Sequence, residues 1–154
     1  AYDPYANPEA ASKIGVQLVS DLDTLCAAAD VISIHTPITN ETHNLFNASR
    51  IATMKKGSIL INFARGGIID EIALVEALKS RHLFGAALDV FVQEPLKADN
   101  PILEGINLLL SPHASAYTDG SRRRLAFECV DAIDAFFAGK RPKFAINQVS
   151  SFKT

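Results

Sequence analysis

Three side chains able to work together on a carbonyl follow apolar stretches of this sequence. Arg65 comes two positions after the run 59–63, Glu94 shortly after residues 83–90, and His113 after residues 106–110. A guanidinium offers a planar fork of donors that matches a carboxylate in bidentate fashion. An imidazole titrates near neutral pH and can hand a proton to a forming alkoxide. A carboxylate on its other ring nitrogen favours the imidazolium and fixes its orientation. The chemistry these three suit is carbonyl reduction beside a carboxylate. The hydride must come from a cofactor, because no side chain can supply one. Each residue also has a plainer reading on its own: Arg65 as a cap on a neighbouring helix, Glu94 as a solvated loop carboxylate, His113 as a turn histidine. His35 and Asp89, at the ends of the runs 31–35 and 83–90, read in the same way as a packed strand-end residue and a turn cap. Their common placement is what favours the chemical reading.

That placement requires a parallel sheet. Residues 31–35, 58–63, 83–90 and 106–110 are strand-like apolar runs, and residues 16–19 form a shorter, β-branched one. Between and after them the pattern predicts helices over residues 21–29, 47–54, 70–80 and 118–138. Ser20 or Asp21 caps the first and Gly139 stops the last. This alternation predicts an α/β fold, a doubly wound parallel sheet with helices on both faces. Runs that are apolar throughout fit strands buried on both sides. Ligands of such sheets sit beyond the carboxyl ends of the strands, where Thr36, Arg65, Asp89, Glu94 and His113 fall. Gly66 and Gly67 let the chain turn sharply after Arg65 with no Cβ in the way.

The bulk properties narrow the partners. The 154 residues are 48% hydrophobic and 21% charged, enough for one domain with a real core. A net charge of −2 argues against nucleic acid and anionic membranes as partners. The three arginines at residues 122–124 form the one basic cluster and read as a solvated helix face. Cys26 and Cys129 match no metal-ligand spacing, so no metal is expected. Both are expected to be buried free thiols, which suits the reducing cytoplasm. No apolar run approaches the roughly 18 residues of a membrane span. The sole methionine is Met54 and the chain opens at Ala1, so a piece of a longer protein is expected.

Five stretches, in order, carry a more specific signal: "YDPY" at residues 2–5, "SIHTPITNETHNL" at 33–45, "MKKGSILINFARGGIIDE" at 54–71, "GAALDVFVQEPL" at 85–96 and "SPHASAYT" at 111–118. On these the chain resembles the nucleotide-binding domain of the D-isomer-specific 2-hydroxyacid dehydrogenases, a Rossmann-like fold. The resemblance implies that Arg65 holds the substrate carboxylate, that His113 is the general acid in reduction and base in oxidation, and that Glu94 pairs with His113. It implies that Asp89 bonds the nicotinamide carboxamide and Asp3 the adenosine ribose. Thr36, Pro37, the backbone of Phe63 and Ala64, and the loop from His113 to Ala116 would line the cofactor. A carboxylate at Asp3 accepts bonds from ribose hydroxyls but repels a 2′-phosphate, which points to NAD over NADP.

There are departures from the family pattern. Phe63 stands where a small or polar residue is usual, and Ser115 and Ala116 stand in a loop often rich in glycine. The family's G-x-G-x-x-G turn, which cradles the pyrophosphate, is not among these residues and would precede Asp3. Residues 1–147 are therefore expected to be a partial NAD-binding domain lacking its first strand and glycine-rich loop. Residues 148–154 are expected to lead towards a substrate domain. Alone, the chain is expected to bind NAD weakly. The intact protein is expected to be a cytoplasmic homodimer that moves a hydride between NAD(H) and a short D-2-hydroxy or 2-oxo acid. 3-Phosphoglycerate comes first among these, then hydroxypyruvate or glyoxylate. The alternative from another class is an NAD-sensing corepressor-like module without catalysis.

Overall fold

The structure is a computed structural model and describes residues 1–147. Residues 148–154, the expected tail, lie outside the described residues. Ala1–His113 forms one compact unit, and a second begins at Ala114.

The first unit is built on a four-stranded, all-parallel sheet: β1 (Val31–Ile34), β2 (Ile59–Asn62), β3 (Gly85–Leu88) and β4 (Leu108–Leu110), in the spatial order of the chain. The register aligns Ile34, Asn62, Leu88 and Leu110 in one row, so the residues after them leave a common edge. Helices α1 (Pro8–Lys13), α2 (Leu22–Ala28), α3 (Ala48–Thr53) and α4 (Glu71–Lys79) accompany it, with a 3-10 turn at Pro101–Glu104 before β4. α3 packs against both α2 and α4, and α4 against the 3-10 turn. This is the Rossmann-like, doubly wound nucleotide-binding fold.

Local chemistry explains most helix starts. Asn7, Asp21, Asn47 and Asp70 each accept a backbone N–H of the first turn with a side-chain oxygen, satisfying donors that the helix itself cannot. α1 was not legible from periodicity because it buries none of its residues, although Asn7 and Pro8 form a regular start signal. Residues 16–19 form no strand. Ala1 donates to the Gln17 carbonyl at 2.5 Å and accepts from the Val19 N–H at 2.9 Å, a ladder only one residue long. A β-branched run becomes a strand only where a neighbour supplies a full ladder.

Burial alternates along β1 and β2 rather than running through, while β3 also buries Gly85 and β4 buries none of its residues. Ile32, Ile34, Leu60, Asn62, Ala86 and Leu88 are buried, whereas Val31 is 52% and Leu109 74% exposed. The buried row packs with Ile51, Leu74, Val75 and Leu78 of the helices into one hydrophobic core. Apolar residues at both alternations make a run look two-sided in sequence, but only covering elements decide which row is shielded.

The second unit carries α5 (Asp119–Phe137), capped by the Thr118 hydroxyl accepting from Ser121 N–H and followed by Gly139 at φ 68°. None of its residues is buried. Cys129 is accordingly exposed, contrary to expectation, while Cys26 is buried on α2 as expected. Among the described residues no helix is long and apolar enough to cross a membrane.

Candidate active site

Arg65, Asp89, Glu94 and His113 follow the ends of strands of the sheet. β2 leads into Arg65, β3 into Asp89 and the turn carrying Glu94, and β4 into His113. At the usual strand spacing of about 4.8 Å, the ends of β2 and β4 lie roughly 10 Å apart with β3 between them.

His113 and Glu94 meet directly. The imidazole Nδ1 is 2.7 Å from Glu94 Oε2, and the two side chains are 48% and 36% exposed. The other oxygen, Oε1, accepts the Phe91 N–H at 3.0 Å. One carboxylate thus aims the ring while anchoring its own loop. The bond from His113, and next that from Phe91 N–H, hold the Glu94 carboxyl below its ordinary value, against some desolvation and the nearby Asp89 charge. His113 itself has φ 53°, a left-handed conformation uncommon outside glycine. It is held there by its N–H, which donates to the Asp89 carbonyl at 2.8 Å. A strained residue fixed in this way at a strand tip is a frequent mark of a functional position.

Asp89 is fully buried and its Oδ1 accepts the Ser111 hydroxyl at 2.6 Å. The bond joins the ends of β3 and β4. Burial of a carboxylate is costly unless it is well bonded, so Asp89 is more than a turn cap. Ser111 carries no sequence signal for this role; only the register of β3 and β4 brings it there.

Arg65 is exposed at a rigid corner. Its Nη1 donates to the Ala64 carbonyl at 2.6 Å, and no helix is capped by it. Asn62, buried at the last position of β2, donates from Nδ2 to the Arg65 carbonyl at 2.9 Å and accepts the Ala64 N–H at 3.0 Å. The two glycines that follow have different reasons to be glycine. Gly67 has φ +81°, the turning conformation. Gly66 has ordinary φ, but a Cβ on it would lie 1.8 Å from the Phe91 carbonyl oxygen. The Arg65 corner and the loop bearing Glu94 therefore press backbone on backbone. A second tie crosses the same gap: Glu71 Oε1 accepts the Val92 N–H at 2.7 Å. Asp70 caps α4. Asn62 and Glu71 were missed from the sequence because neither stands out by type; each matters through a bond that only the fold creates.

The remaining candidates are more loosely held. Thr36 and Pro37 follow β1, where Pro37 O accepts the Thr42 hydroxyl at 2.7 Å. His35 bonds the Ser33 hydroxyl at 2.8 Å, a local strand-end contact. Phe63 is 44% exposed at the tip of β2, with Ala64 beside it. Asp3 lies exposed near the chain start and accepts the Tyr5 N–H at 2.9 Å. Ala116 belongs to the second unit, where its carbonyl accepts the Thr118 N–H at 2.9 Å.

Two grooves, of about 550 Å³ and 500 Å³, contain none of Arg65, Glu94 and His113: one lies along α5, the other between α3 and α4. The candidate site is an open sheet edge. A nicotinamide nucleotide fits what this edge offers: half-exposed Thr36 and Ala64, exposed Pro37 and Phe63, and acidic and basic groups at adjacent strand ends.

Comparison with known proteins gives the context. Residues 1–115 match the family model described as D-isomer specific 2-hydroxyacid dehydrogenase, NAD binding domain. The chain is 42% identical over 146 residues to D-3-phosphoglycerate dehydrogenase of Methanocaldococcus jannaschii, covering 95% of this chain and 28% of that protein. It is 43% identical over 129 residues to glyoxylate reductase of Thermofilum pendens, covering 84% of this chain and 38% of that one. The structure of D-lactate dehydrogenase with NAD+ from Lactobacillus jensenii superposes with a TM-score of 0.84 at 31% identity, over 96% of this chain and 48% of that chain. The chain thus spans under half the length of these relatives. An all-parallel sheet, a carboxylate–imidazole pair at its carboxyl edge and a family match over three quarters of the residues agree: the chain belongs to the NAD-binding domain family of the D-isomer-specific 2-hydroxyacid dehydrogenases.

Proposed function

We infer that this chain is the cofactor-binding part of an NAD-dependent D-2-hydroxyacid dehydrogenase and carries its catalytic groups. The observation that carries the reading is the His113–Glu94 pair at 2.7 Å on the sheet edge that also bears Arg65. NAD, when bound, supplies or accepts the hydride. The Arg65 guanidinium holds the substrate carboxylate through paired hydrogen bonds and so orients the carbonyl. His113 uses Nδ1 on Glu94, which leaves Nε2 to give a proton to the carbonyl oxygen during reduction and to take it back during oxidation. Glu94 accepts from Nδ1 and prevents the ring from turning.

Asp89, although fully buried and bonded by Ser111 in this structure, is proposed to meet the carboxamide end of the cofactor. Asp3 takes the ribose hydroxyls, and its charge opposes a 2′-phosphate, supporting NAD over NADP. Thr36, Pro37, Phe63 and Ala64 line the cofactor. The pyrophosphate cradle is not among the residues of this chain, and no role here depends on it.

The substrate proposed first is 3-phosphoglycerate, supported by the similarity to D-3-phosphoglycerate dehydrogenases. Glyoxylate or hydroxypyruvate comes second, supported by the similarity to a glyoxylate reductase. The protein is proposed to act as a cytoplasmic homodimer: both cysteines are free thiols, and α5 exposes Leu125, Val130, Ile133 and Phe137 as a surface for a second copy.

The test is NADH consumption by the full-length protein with phosphohydroxypyruvate, hydroxypyruvate and glyoxylate, each repeated with R65A. Turnover of one of them, with R65A raising KM and lowering kcat together, is the expected result. NAD binding with no turnover of any would reject catalysis and leave a sensor.

A further inference from the structure

The loop that carries Glu94 is gripped from outside its own strand. Glu94 binds the Phe91 N–H within the loop, which sets the loop's shape but not its place. Its place is set on one side by Val90 and Phe91, both buried, and on the other by a neighbouring segment. Glu71, in the first turn of α4, accepts the next amide, Val92 N–H, at 2.7 Å, and Gly66 lies flat against the Phe91 carbonyl. Both contacts come from the segment that begins at Arg65. That segment is itself sewn into the core: Asn44 N–H donates to the Gly67 carbonyl at 2.8 Å, and Phe46 N–H to that of Ile68 at 3.0 Å. Val92 is 67% exposed, so its side chain adds little to hold the loop down.

We propose that Glu71 is a positioning residue which, through Val92 N–H, locks the Glu94 loop to the Arg65 corner, so that the acid–base pair and the guanidinium keep one spacing. The proposal deepens the dehydrogenase reading and rests on it for its consequence in catalysis, but the lock itself is a property of this chain. A hydrogen bond to a carboxylate is among the stronger ones, and this one joins side chain to backbone across the gap. Without it, Glu94 spends part of its time away from His113 and loses the bonds that keep its carboxyl ionised. The charged groups facing that carboxyl are His113 and, repulsively, Asp89.

The lock is read first by NMR on the 154-residue chain, following the Glu94 carboxyl carbon against pH in the unaltered chain, E71A, E71Q and H113A. H113A removes the largest influence and sets the direction, a rise in the Glu94 midpoint. E71A is expected to move the midpoint the same way. E71Q keeps a carbonyl oxygen for Val92 N–H and is expected to stay close to the unaltered chain, which loss of a negative charge alone would not give. E76A, on the same helix, is expected to leave the midpoint in place. An unmoved midpoint in E71A, or equal shifts in E71A and E71Q, overturns the lock. Amide exchange in the unaltered chain needs no variant: the lock requires Val92 N–H to exchange roughly tenfold or more slowly than an open loop amide, and fast exchange overturns it. In the full-length protein, E71A is expected to lower kcat more than it raises KM for NADH. If no 2-oxo acid is turned over, the dehydrogenase reading fails while the NMR result on the lock still stands.

Discussion

The ends of β2, β3 and β4 are tied to one another, whereas the end of β1 is tied mostly to itself. At the first three, Asp89 N–H donates to Asn62 O at 3.1 Å and His113 N–H to Asp89 O at 2.8 Å. Glu94 reaches His113 across 19 residues of sequence, and Glu71 reaches Val92 across 21. At β1, the side-chain hydrogen bonds described for residues 33–42 stay within that segment. The difference teaches what each region is built to do. A general acid loses most of its effect when displaced by an ångström, so the proposed catalytic rim needs bonds that span the fold. The proposed cofactor wall at the end of β1 needs the right shape and some freedom, and local bonds provide both.

Breaking the tied rim at its centre gives the largest expected effect. H113A in the full-length protein should lower turnover by roughly 10²–10⁴, the scale of general acid–base help. Steady-state kinetics at a near-normal rate would remove the chemical meaning of the contrast. G66A comes next. A Cβ placed 1.8 Å from the Phe91 carbonyl oxygen forces backbone to move. The expected cost is about 1–3 kcal/mol in urea unfolding, with turnover down by up to about 10²-fold from misplacement of the rim. A smaller effect is expected on the other side of the comparison. T42V deletes the bond to Pro37 O and should cost about 0.5–1.5 kcal/mol, with turnover nearly unchanged. If T42V harmed turnover as much as G66A, the two regions would not differ as argued.

The smallest effect sharpens the comparison through pH. The Glu94 carboxyl titrates below its ordinary value in the folded chain, through His113 first and Phe91 N–H second. A carboxyl depressed on folding stabilises the fold above its unfolded value and loses that contribution as pH falls through the lowered folded value. E94Q should therefore flatten part of the acid limb of stability against pH and leave stability near neutral pH less dependent on this pair. Because Glu94 is partly solvated, the change should be modest. An acid limb identical in both proteins would mean that the pair contributes nothing to folding.

Much of this was legible without coordinates. The four strands of the sheet, the helices over residues 22–28, 48–53, 71–79 and 119–137, and the cap at Asp21 follow from local pattern, because a side-chain cap or a periodic apolar face acts over a few residues. The pairing of Glu94 with His113 was also expected, from motif resemblance. The failures were of another kind. Residues 16–19 had strand composition but no full ladder partner, and Cys129 had apolar neighbours but lies on a helix that buries nothing.

The order of strands and helices, and the arrival of an arginine, an acid and a histidine after successive strands, are properties of the residue string, since each depends on neighbours a few positions away. Which row of each strand is shielded, why Gly66 must lack a side chain, and how Asn62, Glu71 and Ser111 hold the rim are decided by tertiary structure alone. Those facts are contacts between residues far apart in sequence, and they come into being only when the parallel register brings the strand ends to one edge.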